Sequence, residues 1–347
     1  MCQYSAVEGS ATSWHTVHLG SLALSGAGIL FVEATGVEPE GRITPGCLGL
    51  YSDENESALA RTLAAVREVS PIALGIQLAH AGRKGSSATP WGGGQLIDAA
   101  HGGWTPIAPS AIPHRPEESP PHAMDHHDLA RVIDSFRHCA RRALRLGFQA
   151  IELHMAHGYL LHEFLSPLAN QRTDQYGGSL ENRMRFPIDV FKAVIDEAGG
   201  MVPVGVRISA TDWVDGGWDI EQSVVLCKKL EALGCAFLDV SSGGVSRMQK
   251  IALGPGYQTP FSERIKREVA IPVIAVGMIT EPRQAEDIIA SGKADMVALA
   301  RGMMINPHWP WRAAAELGGT VTAPPQYWRS PSAGLPPIFG DIKHGQR

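Results

Sequence analysis

The sequence predicts an α/β fold, a (β/α)8 barrel lacking its first strand. Three observations carry that reading. Eight helical stretches alternate with seven apolar strand-like stretches, and strict alternation implies parallel pairing through right-handed crossovers. Polar residues embedded in those strands, Gln77, His154 and Arg207, share one phase against apolar neighbours. The chain also opens at the loop before its first helix, where such a barrel has already used a strand. The first strand is therefore expected to be missing, Met1 to be an internal methionine and the sequence to start late. An open seven-stranded doubly wound sheet is the alternative.

Taken in order, residues 13–27 read as a helix capped by Ser13 and stopped at Gly26 to Gly28, and 29–37 as a strand. A helix over 54–69 and a strand over 71–79 follow. The stretch 80–127, rich in Gly, Pro and Trp, is too long for a plain connection and predicts a cap over one end of the fold. An Arg-rich amphipathic helix over 128–146 closes at Gly147 and leads into a strand over 150–156. A long loop, 157–181, separates that strand from a helix over 182–197. The alternation continues with strands over 202–210, 237–243, 272–278 and 296–302, interleaved with helices over 220–233, 261–269 and 282–291. A helix over 308–317 and a Pro-rich tail from 318 complete one domain spanning 1–347.

Composition narrows the function. With 44% hydrophobic residues a sizeable core is available, and a net charge of −5 without any basic block leaves no electrostatic footprint for nucleic acid. A small molecule is the expected partner. The most apolar run, 19–32, is interrupted by glycines and serines and falls short of the ~20 residues a bilayer requires, so no membrane partner is expected. The start, M-C-Q-Y-S, lacks a charged leader or hydrophobic signal core. Five cysteines without C-x-x-C spacing suit a reducing cytoplasm.

Polar chemistry concentrates in I-E-L-H-M-A-H-G-Y-L-L-H-E-F, residues 151–164. Ile151, Leu153 and Met155 form one face of the strand, Glu152 and His154 the other, and His157, Gly158 and Tyr159 follow in the exit loop. Active sites of barrels lie at the C-terminal strand ends. There Gln77, His154 and Arg207, on three separate strands and with no acid evident beside Arg207, favour a ring-shaped polar ligand over a satisfied core hydrogen bond. The last two strand ends suit an anion: Gly277 precedes a helix, and Arg301 is expected inside the closing strand. His154-x-x-His157 with His162 has the wrong spacing for a zinc helix and lacks a further ligand, so no metal is expected. Gly26-Ala27-Gly28 precedes a strand where a dinucleotide-binding turn follows one.

A set of motifs then extends over nearly the whole chain: M-C-Q-Y-S at 1–5, G-R-I-T-P-G at 41–46, Q-L-A-H-A-G-R-K at 77–84 and H-M-A-H-G-Y-L-L-H-E-F-L-S-P at 154–167. N-x-R-T-D-x-Y-G-G-S at 170–179, E-N-R at 181–183, V-R-I-S-A at 206–210, V-G-M-I at 276–279 and P-P-Q-Y-W-R at 324–329 continue it. Together they resemble the flavin-dependent ene-reductases of the Old Yellow Enzyme family, in its short bacterial branch with the xenobiotic reductases. The resemblance implies a (β/α)8 barrel holding FMN. By it, Gln77 binds the pyrimidine side of the flavin, Arg207 sits by N1 and O2, Cys2 lies near O4 and N5, and Ala34 approaches the ring edge. Gly277, Ala300 and Arg301 would hold the phosphate. His154 and His157 would bind a substrate oxygen, Tyr159 would donate a proton, Tyr4 would line the pocket, and Arg329 would reach a neighbouring subunit's site in a homodimer or homotetramer. The family's N-terminal lid hairpin and first strand are absent here, and Ala300 stands where glycine is common.

The activity expected is ping-pong transfer of hydride from NADPH or NADH, through FMN, to the C=C bond of an α,β-unsaturated carbonyl or similar electron-poor alkene. Two other readings stand beside it. One is a cofactor-free barrel lyase or isomerase acting on a phosphorylated substrate with His154 or His157 as base; the other is a truncated, non-catalytic relative.

Overall fold

The computed structural model describes residues 1–331 and 336–340. Seven strands form one parallel sheet: β1 (Ile29–Gly36), β2 (Ala73–Ala79), β5 (Ala150–Met155), β6 (Val204–Ser209), β7 (Leu238–Ser241), β8 (Val273–Val276) and β9 (Met296–Ala298), in that spatial order. A short pair, β3 (Ile107–Ala108) and β4 (His122–Ala123), lies between β2 and β5 in the chain. Sequential neighbours pair throughout the large sheet, as right-handed α/β winding requires. Among the described residues β1 and β9 do not pair with each other, so the sheet is open at that seam. Burial follows. Every residue of the inner strand β5 is buried, whereas Ile29, Leu30 and Phe31 of β1 are partly exposed and Met296 of β9 is 39% exposed.

The helices are α1 (Ser13–Ala23), α2 (Asp53–Val69), α3 (His126–Arg145), α4 (Leu160–Leu165), α5 (Leu180–Ala198), α6 (Ile220–Ala232), α7 (Thr259–Lys266), α8 (Pro282–Ala290), α9 (Arg301–Ile305) and α10 (Trp309–Leu317). Helix α3 shows why they form and how they dock. Asp125 accepts from the Asp128 amide at 2.9 Å, and the Asp128 carboxylate accepts from the Asp125 amide at 3.1 Å, a reciprocal cap. Its buried stripe, Leu129, Val132, Phe136, Cys139, Ala140 and Ala143, recurs every three or four residues. On the opposite side Arg141 pairs with Glu197 of α5, while Arg142 and Arg145 pair with Glu56 of α2.

Four sequence expectations change. The α1 cap is Thr12, not Ser13: its amide donates to His15 Nδ1 at 3.0 Å, and the helix stops at Ala23, short of the glycines. Helix α4, inside the 157–181 stretch that the sequence predicts as loop, is six residues long and buried all round, so it has no amphipathic period to read. Helix α7 starts at Thr259 because Pro260 occupies a first-turn position, where its missing N–H costs nothing. Finally β9 ends at Ala298, and Arg301 opens α9 instead of lying inside a strand.

The register brings the polar residues level. An irregularity at Glu33 in β1 skips one residue, so that Ala34 stands opposite Gln77. Gln77 is opposite Glu152, and His154, Arg207 and Asp239 are successive partners across β5, β6 and β7. Segment 80–127 is tied down from the β5–α5 connection, where Arg172 donates to the carbonyls of Pro109 at 3.1 Å and Met124 at 2.6 Å.

Candidate active site

His154 is the penultimate residue of the buried strand β5, and His157 lies three residues later with φ +59°, a left-handed backbone that a non-glycine residue keeps only when its surroundings fix it. Several bonds do so. The His157 amide donates to Ser209 Oγ at 2.9 Å, its carbonyl accepts from Lys84 Nζ at 2.8 Å, and its Nε2 lies 2.6 Å from Ser241 Oγ. Gly158 permits the turn, since a Cβ there would meet the Gly244 carbonyl oxygen at 2.2 Å. The result is that His154 Nε2 and His157 Nδ1 face one another at 3.3 Å. Burial, then the Arg207 charge, holds both imidazoles well below their ordinary range, so both rings are neutral at neutral pH.

Tyr159 caps α4, with its ring centroid 5.2 Å from that of His154 and Lys84 Nζ 4.8 Å from its own centroid. Burial raises its phenol well above the usual range, so it remains a proton donor. Burial likewise lowers Lys84 to about 8.

Beneath these groups, Gln77 Nε2 donates to Glu152 Oε1 at 2.6 Å. Burial first, and the nearby Asp239 charge second, raise Glu152 to about 8, so its carboxyl is neutral at neutral pH. Arg207 is not free of an acid, contrary to the sequence reading: Asp239 Oδ2 lies 3.3 Å from its Nε. The approach is off line, and Arg207 Nε and Asp239 Oδ1 are both buried without a hydrogen-bond partner among the described residues.

The remaining residues fall in two groups. Cys2 is partly exposed; the neighbouring Cys47 thiol first, and burial second, raise Cys2 well above its usual range, while Cys47 is lowered. Tyr4, also in a left-handed conformation at φ +51°, packs its ring edge on Trp91 at 5.5 Å. Ala34 is partly exposed at the rim of β1. At the far strand ends, Gly277 has φ +115° with the Gln258 side chain against it, and Ala300 and Arg301 are exposed at the start of α9. Arg301 makes no ion pair among the described residues. Arg329 is exposed in a turn of the tail that packs through Tyr327 on Trp311 of α10, and it bonds none of the groups above.

The sequence reading omitted Lys84, Ser209, Asp239 and Ser241. Asp239 and Ser241 alternate with Leu238 and Val240, the same period-two signal that marked Arg207. Lys84 was in plain view within Q-L-A-H-A-G-R-K. His162, by contrast, turns from the site: its Nδ1 accepts from the Gly158 amide at 2.8 Å and its Nε2 pairs with Asp212 at 3.0 Å.

Comparison with known proteins agrees with this arrangement. The profile of the NADH:flavin oxidoreductase / NADH oxidase family matches residues 1–318. The chain is 44% identical over 331 residues to an NADPH dehydrogenase of Geobacillus thermodenitrificans, covering 95% of this chain and 92% of that one. It is 40% identical over 332 residues to an NADPH dehydrogenase of Listeria innocua, covering 95% and 93%. Among solved structures, morphinone reductase in complex with tetrahydroNAD superposes with a TM-score of 0.74 at 26% identity, over 93% of this chain and 86% of that one. An FMN-dependent NAD(P)H oxidoreductase is what such a match describes, and the chain belongs to the NADH:flavin oxidoreductase / NADH oxidase family, that of Old Yellow Enzyme.

Proposed function

We propose that this chain reduces the C=C bond of α,β-unsaturated carbonyl compounds or similar electron-poor alkenes, with NADPH or NADH as reductant. The observation that carries this reading is the His154–His157 pair, whose facing nitrogens stand 3.3 Å apart beside a buried phenol. At that distance one neutral ring can donate to the other, and with hydrogen on both nitrogens the pair instead converges on an oxygen that accepts from both. His157 can present Nδ1–H when its Nε2 accepts from the Ser241 hydroxyl at 2.6 Å; the Gln258 Oε1 that this hydroxyl also reaches, at 3.3 Å, is already served by Ser242 at 2.7 Å. A carbonyl oxygen so held loses electron density, which prepares the β-carbon for hydride and the α-carbon for the Tyr159 proton. With an ordinary phenol pKa of ~10, raised here by burial, Tyr159 delivers its proton to a carbanion and to few weaker bases.

The donor set suits FMN. Gln77, with its N–H already committed to Glu152, keeps its carbonyl for a ring N–H; Arg207 keeps unpaired donors for a ring oxygen or anionic nitrogen; the Gly277 and Ala300 amides with Arg301 suit a phosphate. FMN, when bound, supplies the hydride chemistry that these side chains lack. In the same reading Cys2 and Ala34 border the ring, and Tyr4 lines the substrate pocket. The chain works as one barrel domain in the cytoplasm, with 80–127 as cap, 157–181 as active-site loop and 318–347 as tail, of which 332–335 and 341–347 lie outside the described residues. Arg329 completes the site of a neighbouring subunit in a homodimer or homotetramer. Among the described residues no helix is long and apolar enough to cross a membrane.

Replacing Tyr159 with Phe tests the assignment in separated half-reactions. Alkene reduction is expected to slow at least a hundredfold with flavin reduction by NADPH nearly unchanged; equal slowing of both would remove the proton-donor role.

A further inference from the structure

Next to the catalytic residues, beneath segment 80–127, lies a cavity of about 200 Å³ whose wall includes Tyr4, Arg83, Lys84, His114, Arg115 and Glu118. Its charge runs against that of the whole chain, which carries a net −5. Three cations line it with one carboxylate. That carboxylate is already engaged, since Glu118 accepts from the Leu96 amide and the Arg115 amide, each at 3.2 Å.

The cations have donors to spare. Lys84 uses two of its three N–H bonds, on the carbonyls of His157 at 2.8 Å and Gly244 at 3.1 Å. Arg115 gives one hydrogen bond, to the Gly94 carbonyl at 3.0 Å, and its Nε stands 3.5 Å from Glu118. Arg83, at 7% exposure, donates to the carbonyls of Ile112 and Val245, a role that pegs the cap; its Nε nevertheless remains buried without a partner among the described residues, as does His114 Nδ1. The geometry is fixed in advance. Gly82, at φ +59°, brings its backbone so near Glu163 that a Cβ would lie 2.3 Å from Oε1, and the same oxygen accepts from the Arg83 amide at 2.9 Å.

We propose that this cavity is an oxyanion subsite, taking a carboxylate or phosphate carried by the molecule that sits at Tyr159. Continuity supports it: Lys84 reaches both the cavity and the Tyr159 ring, and Tyr4 lines the wall. The field agrees with it, because burial first, and then the charges of Lys84, Arg83, Arg115 and Arg247, lower His114 to about 3, although Glu118 stands beside Arg115 and Glu117 beside Arg247. The oxyanion comes from an acidic alkene substrate or from the phosphates of the nicotinamide coenzyme. The inference rests on the ene-reductase reading for the position of that molecule.

The test uses holoenzyme and an Arg115→Gln variant, with a neutral cyclic enone, an enone bearing a carboxylate on a flexible arm, and NADPH. Loss of one charge-assisted contact is expected to cut the kcat/KM ratio of acidic to neutral enone, or the apparent NADPH affinity in flavin reduction, about tenfold. A fall confined to the acidic enone assigns the anion to the substrate, and one confined to NADPH assigns it to the coenzyme. Unchanged values in both arms overturn the subsite. Should the variant not fold, inorganic phosphate decides with wild-type enzyme: competition against the acidic enone or NADPH but not the neutral enone supports the site, and its absence overturns it. Reduction of both enones, with neither the acidic enone nor NADPH affected by Arg115→Gln or by phosphate, removes the subsite alone; loss of NADPH affinity in an enzyme that reduces no enone removes the ene-reductase reading alone.

Discussion

At the residue scale, proton positions decide what the site can do. His157 faces the substrate side with Nδ1 because Ser241 can donate to its Nε2 at 2.6 Å, so Ser241→Ala frees the ring to take the other tautomer. Phenol binding to the oxidised holoenzyme, followed by absorbance, is expected to weaken about tenfold with flavin reduction by NADPH little changed; undiminished binding would show that Ser241 does not set the tautomer. Glu152 makes a second case. Its carboxyl is raised from 4.5 to about 8, so its contribution to stability is fully present below pH 4.5 and lost as pH rises to 8, where the unfolded chain ionises first. Denaturant unfolding across that window is expected to lose stability at up to about 1.4 kcal/mol per pH unit from this group, and Glu152→Gln to remove that part of the slope. An identical slope in the variant would place the Glu152 carboxyl back in the ordinary range. Gln77, His154 and Arg207 were legible because one polar residue in an apolar strand breaks the period. The Asp239 partner of Arg207 was not, since a neighbour across parallel strands lies more than thirty residues away in sequence.

At the scale of elements, the β5–α4 corner holds the chemistry. Gly158 and Gly244 pack backbone on backbone, and the left-handed His157 sits between them. Gly158→Ala places a methyl where the Gly244 oxygen stands, in a conformation alanine also disfavours, and is expected to cost about 3 kcal/mol in denaturant unfolding and to abolish phenol binding. Wild-type stability with intact binding would show that the corner relaxes freely. Sequence periodicity gave α3 within two residues at its start, because a 20-residue stripe is unambiguous. It gave neither α4 nor α9: helices of six and five residues are shorter than two turns, and their boundaries come from tertiary contacts that no local pattern encodes.

At the scale of the whole molecule, parallel winding collects residues 77, 154, 207, 277 and 301 at one end of the sheet. That gathering was readable from alternation alone. The shape of the cavity under segment 80–127 was not, because irregular backbone held by single side chains such as Arg172 leaves no periodic trace. The central claim is that the strand ends grip FMN while His154 and His157 grip a substrate oxygen. Titrating a phenol into purified wild-type protein and a His154→Ala/His157→Ala variant, while recording the visible spectrum, tests both halves together. Flavin absorbance in both proteins, with a long-wavelength charge-transfer band that grows in the wild type and is lost in the variant, is the expected result; a colourless wild-type protein, or a band of equal strength in the two, would contradict it.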